Sequence, residues 1–231
     1  MPHAPLAILF DLDGTLVDTA PDLLASLNAV LTRVGHRPVV PRELRSMVGH
    51  GVKALFERAF KETGTAVSPE QLAHYSTEFL THYRANIAHE SRPYPHVRET
   101  LEALADTGAI LGVCSNKPQE LTDLLLAKLD LAWHFGAVYG GGRAKHNKPA
   151  ADHVLELLDA LKGTLGRAVM VGDSTVDVAA ARAANIPVIV MSYGYTPVAA
   201  HEMGGDAVAD DFAALPGLIA RLTEAPLRRA G

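Results

Sequence analysis

The sequence predicts an α/β fold, a parallel sheet covered by helices and interrupted by an all-helical insert. Three observations carry this. The run Leu6-Ala7-Ile8-Leu9-Phe10 is short, continuous and apolar, and it ends in Asp11-Leu12-Asp13-Gly14-Thr15. Such a run suits a strand buried on both faces of a parallel sheet. From Val97 onward, short apolar runs alternate with helical patterns, whereas residues 19 to 88 carry helical periodicity alone. Strands alternating with helices imply right-handed crossovers and a sheet with helices on both faces.

In chain order, Thr19-Ala20-Pro21-Asp22 reads as a helix start with a capping residue and an acid three positions on. Leu23, Leu24, Leu27, Val30, Leu31 and Val34 continue that helix to Gly35. Val52, Leu55, Phe56, Ala59 and Phe60 mark a second helix, and Leu72, Tyr75, Phe79, Leu80, Tyr83 and Ile87 a third after Ser68-Pro69. A helix through Leu101 and Leu104 then leads to a strand over Ala109–Cys114, and a helix opening at Pro118 leads to a strand near Ala137–Tyr139. Further helices from about Ala150 to Leu161 and through Ala179–Ala184 precede strands at Ala168–Val171 and Ile186–Met191. A strand near Asp206–Ala209 and a helix from Phe212 close the pattern. The expected organisation is an α/β core of residues 1–16 and 89–231, with residues 17–88 as a helical domain. That domain leaves the core directly after the paired aspartates and is placed to cover them, with Val17–Thr19 and Ala88–Tyr94 as candidate hinges.

Composition narrows the function classes. The 231 residues include 21 Lys and Arg against 26 Asp and Glu, a formal charge of −5 with no long basic run, which argues against a nucleic-acid binder. The single cysteine, Cys114, excludes an intrachain disulfide and fits a reducing compartment. Leu6–Phe10 is too short for a signal or membrane helix. The expectation is a soluble cytoplasmic protein, monomer or homodimer, with no membrane partner. The eleven histidines are scattered, and most read as surface residues.

Chemistry gathers at the strand ends. Asp11 and Asp13 repel each other unless a cation or proton intervenes. They suggest a metal site, an acid/base pair or both, or else a turn whose aspartates cap the next segment. Ser115 and Asn116 stand between a strand and a helix start, suited to an anionic oxygen or simply to capping. Lys148 precedes a helix N-terminus, where a cation is disfavoured, so something negative should compensate it. Asp173 ends another buried strand, and Asp177 follows one helical turn later on the same side. All four segments fall where ligands bind in open parallel sheets. Four acids, one lysine and a hydroxyl–amide pair balance as a site for Mg²⁺ and phosphate.

These motifs, Asp-x-Asp-x-Thr, then Ser, then Lys-Pro, then Gly-Asp-x-x-x-Asp, resemble those of the haloacid dehalogenase superfamily across nearly the whole chain. The resemblance implies a Rossmann-like core with a helical cap inserted after the first motif. It implies Asp11 as a nucleophile forming an aspartyl-phosphate, and Asp13 as the acid and base for the leaving oxygen and the attacking water. Thr15 and Ser115 would hold phosphoryl oxygens with Asn116 nearby, and Lys148 would neutralise charge. Mg²⁺ would be held by Asp11, the Asp13 carbonyl and Asp173, with Asp177 supporting.

Within the superfamily the chain is more similar to bacterial phosphoglycolate phosphatases, through Phe10–Asp18, Val48-Gly49-His50-Gly51, Asn116-Lys117-Pro118 and Ser192-Tyr193-Gly194-Tyr195. It departs at Gly142-Arg143, where acidic residues are common, and at Ala151, where proline is frequent. That similarity implies 2-phosphoglycolate, a small phosphorylated metabolite, as substrate. Arg45, His50 and Lys53 in the insert are the candidate cations for its carboxylate. Other small phosphates (sugar phosphates, nucleotides, pyrophosphate) form the alternative. Asp13 speaks against a dehalogenase and against a phosphonoacetaldehyde hydrolase, although Lys53 suits the latter. Leu23 stands where a sugar-phosphate mutase would carry histidine. A non-catalytic binding protein of this fold would have lost Asp11, Asp13, Lys148 or Asp173, and all four are present.

Overall fold

The computed structural model describes residues 5–45, 52–62 and 67–224. β1 (Ala7–Phe10) leads into a tight turn and a short strand, β2 (Val17–Asp18). Four helices follow: α1 (Ala20–Arg33), α2 (Pro41–Arg45), α3 (Val52–Glu62) and α4 (Pro69–Asn86). The chain returns through β3 (Arg92–Pro93) to α5 (Val97–Asp106), β4 (Ile110–Pro118), α6 (Gln119–Lys128) and β5 (Ala137–Gly141). It ends with α7 (Ala151–Ala160), β6 (Ala168–Gly172), α8 (Thr175–Ala183), β7 (Val188–Met191), β8 (Ala207–Ala209) and α9 (Leu215–Glu224).

Six strands form one sheet in the order β5-β4-β1-β6-β7-β8, every neighbouring pair parallel. Chain order therefore runs outward from β1 in one direction and then, from β6, in the other. β1 is fully buried, and its alternate residues serve opposite layers, as the strand period requires. Ile8 and Phe10 join a cluster that includes Leu101 of α5, Leu125 of α6 and Ile219 of α9. Ala7 and Leu9 join Val154 and Leu157 of α7 and Ala181 of α8. This two-sided burial is why the strand reads as an unbroken apolar run. No described helix is long and apolar enough to cross a membrane.

The strand ends differ from the sequence reading where polar residues continue an extended backbone. β4 runs on through Ser115, Asn116 and Lys117 to Pro118, with a register shift against β5 between Cys114 and Pro118. Ser68 caps α4 in a reciprocal capping box with Gln71. Thr19 and Asp22 do not form the capping box their spacing suggests. Thr19 makes no side-chain cap bond. Asp22 is buried and turns to the returning chain, accepting from the Glu90 N–H (3.0 Å), the Ser91 N–H (2.8 Å) and the Ser91 hydroxyl (2.7 Å). The two connections to the insert are thus tied together, and β2 pairs antiparallel with β3 beside them.

Removing the Asp22 carboxylate strands three donors in a largely dry site. Asp22→Ala is expected to lower stability by about 2–4 kcal/mol, read from the urea midpoint. An unchanged midpoint would show that water replaces the carboxylate without cost.

Candidate active site

The order of the strands reverses between β1 and β6, the position at which parallel sheets open a crevice at their carboxyl ends. Phe10 pairs with Val113 on one side and Val171 on the other. The residues just beyond these positions, Asp11, Asp13, Ser115 and Asp173, therefore leave the sheet at nearly one level. The Asp11 N–H still donates to the Val171 carbonyl (2.9 Å), which holds the first aspartate at the strand end.

Lys148 enters this crevice from the segment before α7. Its Nζ lies 2.9 Å from Asp11 Oδ1 and 2.6 Å from Asp177 Oδ1, so the misplaced cation has two counter-charges. The buried His153 ring accepts the Lys148 N–H at Nδ1 (3.2 Å) and meets the Tyr139 carbonyl at Nε2 (3.1 Å). Burial and the nearby Lys148 cation lower the His153 pKa to about 4, so the ring is neutral at pH 7. Asp177 also forms the capping box of α8: the Ser174 N–H (3.1 Å) and hydroxyl (2.6 Å) donate to its Oδ2. Both oxygens of Asp177 are thereby engaged.

Asp173 is held on three sides. The Thr15 hydroxyl donates to its Oδ1 (3.2 Å) and the Tyr195 N–H to its Oδ2 (2.8 Å). Gly14 packs against it with φ +85°, and a Cβ there would stand 2.5 Å from Asp173 Oδ2. Only glycine takes that backbone conformation so close to a carboxylate without strain. Gly194 closes the other side, where a Cβ would overlap the Asp173 side chain.

Asp13 has a cation of its own. Lys117 Nζ lies 2.8 Å from Asp13 Oδ1 and 3.0 Å from Oδ2, and the Thr19 hydroxyl donates to Oδ1 (2.7 Å). Lys117 is buried, and its Nζ stands 4.7 Å from the centroid of the Tyr83 ring of α4. Burial works against each buried ammonium. Asp11 and Asp177 outweigh it at Lys148, and Asp13 with Tyr83 at Lys117, so both lysines are held above their usual pKa. The carboxylates respond oppositely. Burial raises Asp11 to about 6 against the pull of Lys148, with Asp177 adding to the rise. Burial, Asp177 and Asp11 push Asp173 well above the ordinary range.

One oxygen each from Asp11, Asp173 and Asp177 lies within 4.8 Å of the others. Carboxylates strained by mutual repulsion in an all-oxygen setting suit a hard divalent cation.

The model of the haloacid dehalogenase-like hydrolases matches residues 8–191. The chain belongs to that family. A phosphoglycolate phosphatase of Agrobacterium fabrum is 45% identical over 96% of this chain and 95% of its own length. One from Caulobacter vibrioides is 41% identical over 97% and 95%. The crystal structure of a predicted phosphoglycolate phosphatase from Haemophilus somnus superposes with a TM-score of 0.88 at 30% identity, covering 94% of this chain and 99% of that one. The six-stranded parallel sheet is the haloacid dehalogenase-like fold, and the chain is an enzyme of the phosphatase class.

Asp11, Asp13, Thr15, Lys148, Asp173 and Asp177 converge in one crevice, with Ser115 at its β4 side. Thr15 spends its hydroxyl on Asp173, and the Asn116 amide donates to the Lys148 carbonyl (2.9 Å), which joins the end of β4 to the segment before α7. Arg143 lies apart, over the Tyr139 ring and donating to the Val138 carbonyl. Arg45 and Lys53 belong to α2 and α3, but their side chains, like the whole of His50, lie outside the described residues. Cys114 is buried, its thiol pushed up to about 12 by burial, and it packs as a small apolar residue. Sequence reasoning missed the roles of Lys117, Tyr83, Tyr195 and His153. The signal for Lys117 was its spacing: it follows Ser115 by two, so both share a strand face if the strand continues.

The raised Asp11 pKa has a consequence for stability. Between its unfolded value near 3.8 and about 6, the folded chain holds a proton that the unfolded chain releases. Folding is therefore disfavoured as pH rises through that window. For the metal-free protein, stability relative to Asp11→Asn is expected to fall between about pH 4 and pH 6 and then level off, as followed by urea denaturation. A flat difference would contradict the assignment.

Proposed function

We propose that this phosphatase is a Mg²⁺-dependent phosphomonoesterase that hydrolyses 2-phosphoglycolate to glycolate and phosphate through an aspartyl-phosphate on Asp11. The observation that carries the chemistry is the pair of carboxylates, each with a separate buried lysine: Asp11 with Lys148 and Asp13 with Lys117. The substrate follows from relatives of that name, 45% and 41% identical over nearly the whole chain.

An anionic nucleophile must approach an anionic phosphate, and the repulsion has to be cancelled locally. Lys148 does this from within the protein, holding Asp11 Oδ1 while the carboxylate attacks phosphorus. The ester oxygen leaves as the P–O bond breaks and takes its proton from Asp13. Asp13 then removes a proton from water, which attacks the acyl-phosphate, releases phosphate and restores Asp11. Asp11, Asp173 and the Asp13 carbonyl would hold Mg²⁺, with Asp177 bracing Lys148 and the start of α8. Held there, Mg²⁺ would supply positive charge to offset that of the nucleophile and the phosphoryl group. Residues 17–88 act as a cap that covers the crevice, hinged where β2 meets β3.

Phosphate release from 2-phosphoglycolate, beside sugar phosphates, nucleotides, pyrophosphate and phosphonoacetaldehyde, tests both parts. The expected result is a strong preference for 2-phosphoglycolate, abolished by EDTA and restored by Mg²⁺. Asp11→Asn should lower kcat by at least about 1,000-fold, and Asp13→Asn by about 10²–10⁴-fold. Metal-dependent activity spread evenly across the panel would remove the substrate and keep the chemistry. Turnover that persists in Asp11→Asn would overturn the covalent route.

A further inference from the structure

Resting on that reading, we infer that Lys117 is the cation that recognises the carboxylate of the substrate. The sequence alone assigned this role to Arg45, His50 or Lys53 in the insert. Lys117 instead belongs to β4 of the core, and its Nζ is 2.8 Å and 3.0 Å from the two oxygens of Asp13.

The argument is one of connectivity. Asp13 has to stand within hydrogen-bond distance of the ester oxygen to protonate it. In 2-phosphoglycolate a single methylene joins that oxygen to the carboxylate. The carboxylate therefore falls within a few bond lengths of whatever touches Asp13 on its open side, and Lys117 touches it. Lys148 is not available for this, because Asp11 and Asp177 share it. An ammonium offers three donors, of which Asp13 engages two.

A second observation marks the same spot. Tyr83 of α4 is 1% exposed, and Lys117 is the only polar partner its hydroxyl meets among the described residues. Its ring centroid is 4.7 Å from Lys117 Nζ. A buried hydroxyl whose one polar neighbour is a buried ammonium forms with it an anion-seeking pair, since each gains a further partner from one carboxylate. The pair spans the core and the insert, so a ligand carboxylate bound there is gripped from both. Phosphate esters of the same size without a carboxylate leave it unsatisfied, which is the stronger way to discriminate.

Two non-hydrolysable ligands isolate this contact from catalysis: 3-phosphonopropionate, which carries the carboxylate, and n-propylphosphonate, which lacks it. Their inhibition constants are measured with the Mg²⁺-loaded enzyme. Wild type should favour 3-phosphonopropionate, and Lys117→Gln should narrow that preference by at least about 10-fold, with Lys117→Arg restoring part of it. Effects of Lys117 on Asp13 are common to both ligands and cancel in the ratio. A preference that survives Lys117→Gln overturns the assignment. Wild type that hydrolyses 2-phosphoglycolate no better than ethyl phosphate defeats the substrate reading itself. Should the variants not fold, a crystal structure of wild type with Mg²⁺ and 3-phosphonopropionate decides. The carboxylate bonded to Lys117 upholds the inference, and the carboxylate on Arg45, His50, Lys53 or solvent overturns it.

Discussion

Crowding Asp11, Asp13, Asp173 and Asp177 at one end of a buried sheet is electrostatically unfavourable, and much of the surrounding structure answers that constraint. Each acid is met by a specific partner: Lys148 by Asp11 and Asp177, Lys117 by Asp13, the Tyr195 N–H and Thr15 hydroxyl by Asp173. The glycines at 14 and 194 let the backbone close on Asp173. Burial first, and repulsion from Asp177 after it, raise the pKa values of Asp11 and Asp173, a cost a divalent cation would relieve. Stability is given up here for a site that binds charge.

The same polar groups that hold the acids also hold the connections to the insert. Tyr195 presents its backbone to Asp173, while its hydroxyl accepts from the Thr19 and Ala20 N–H groups and donates to Asp18 (2.7 Å). Thr19 in turn donates to Asp13, and the Tyr193 hydroxyl donates to the Thr15 carbonyl (2.8 Å). From Asp173 to Asp13, and on through Lys117 to Tyr83, the contacts cross from the clustered acids at the strand ends to helix α4. Asp13 thus has one partner, Thr19, at the start of the helical segment and another, Lys117, that touches α4 through Tyr83. That gives a physical link between the helices beside the crevice and Asp13.

Elements whose burial matches a simple period were legible in the sequence. β1 and β6 read as strands because both faces are dry, and α4 because Leu72, Phe79 and Tyr83 recur at the helical period on its buried face. The negative partner demanded by Lys148 also followed from local reasoning, and the structure supplies two. Thr19 and Asp22 show the limit. Their spacing is that of a capping box, but the returning chain and Asp13 offer their side chains stronger bonds than the helix start does. Lys117 was hidden for a related reason, since a strand that continues through polar residues resembles the start of a helix.

By itself the sequence determined the alternation of strands and helices, the run of helices that follows β1 and the identity of the acids at the strand ends. These depend on periodicity and on chemistry within a few residues. Only the tertiary structure decided which lysine faces which aspartate, because those pairs join positions 104 and 29 residues apart through sheet order and packing. It also decided that Tyr83, one apolar-face residue among several on α4, lies against an ammonium from the core. Long-range placement of this kind leaves no local trace: a buried charge chooses its partner by what the fold brings within reach.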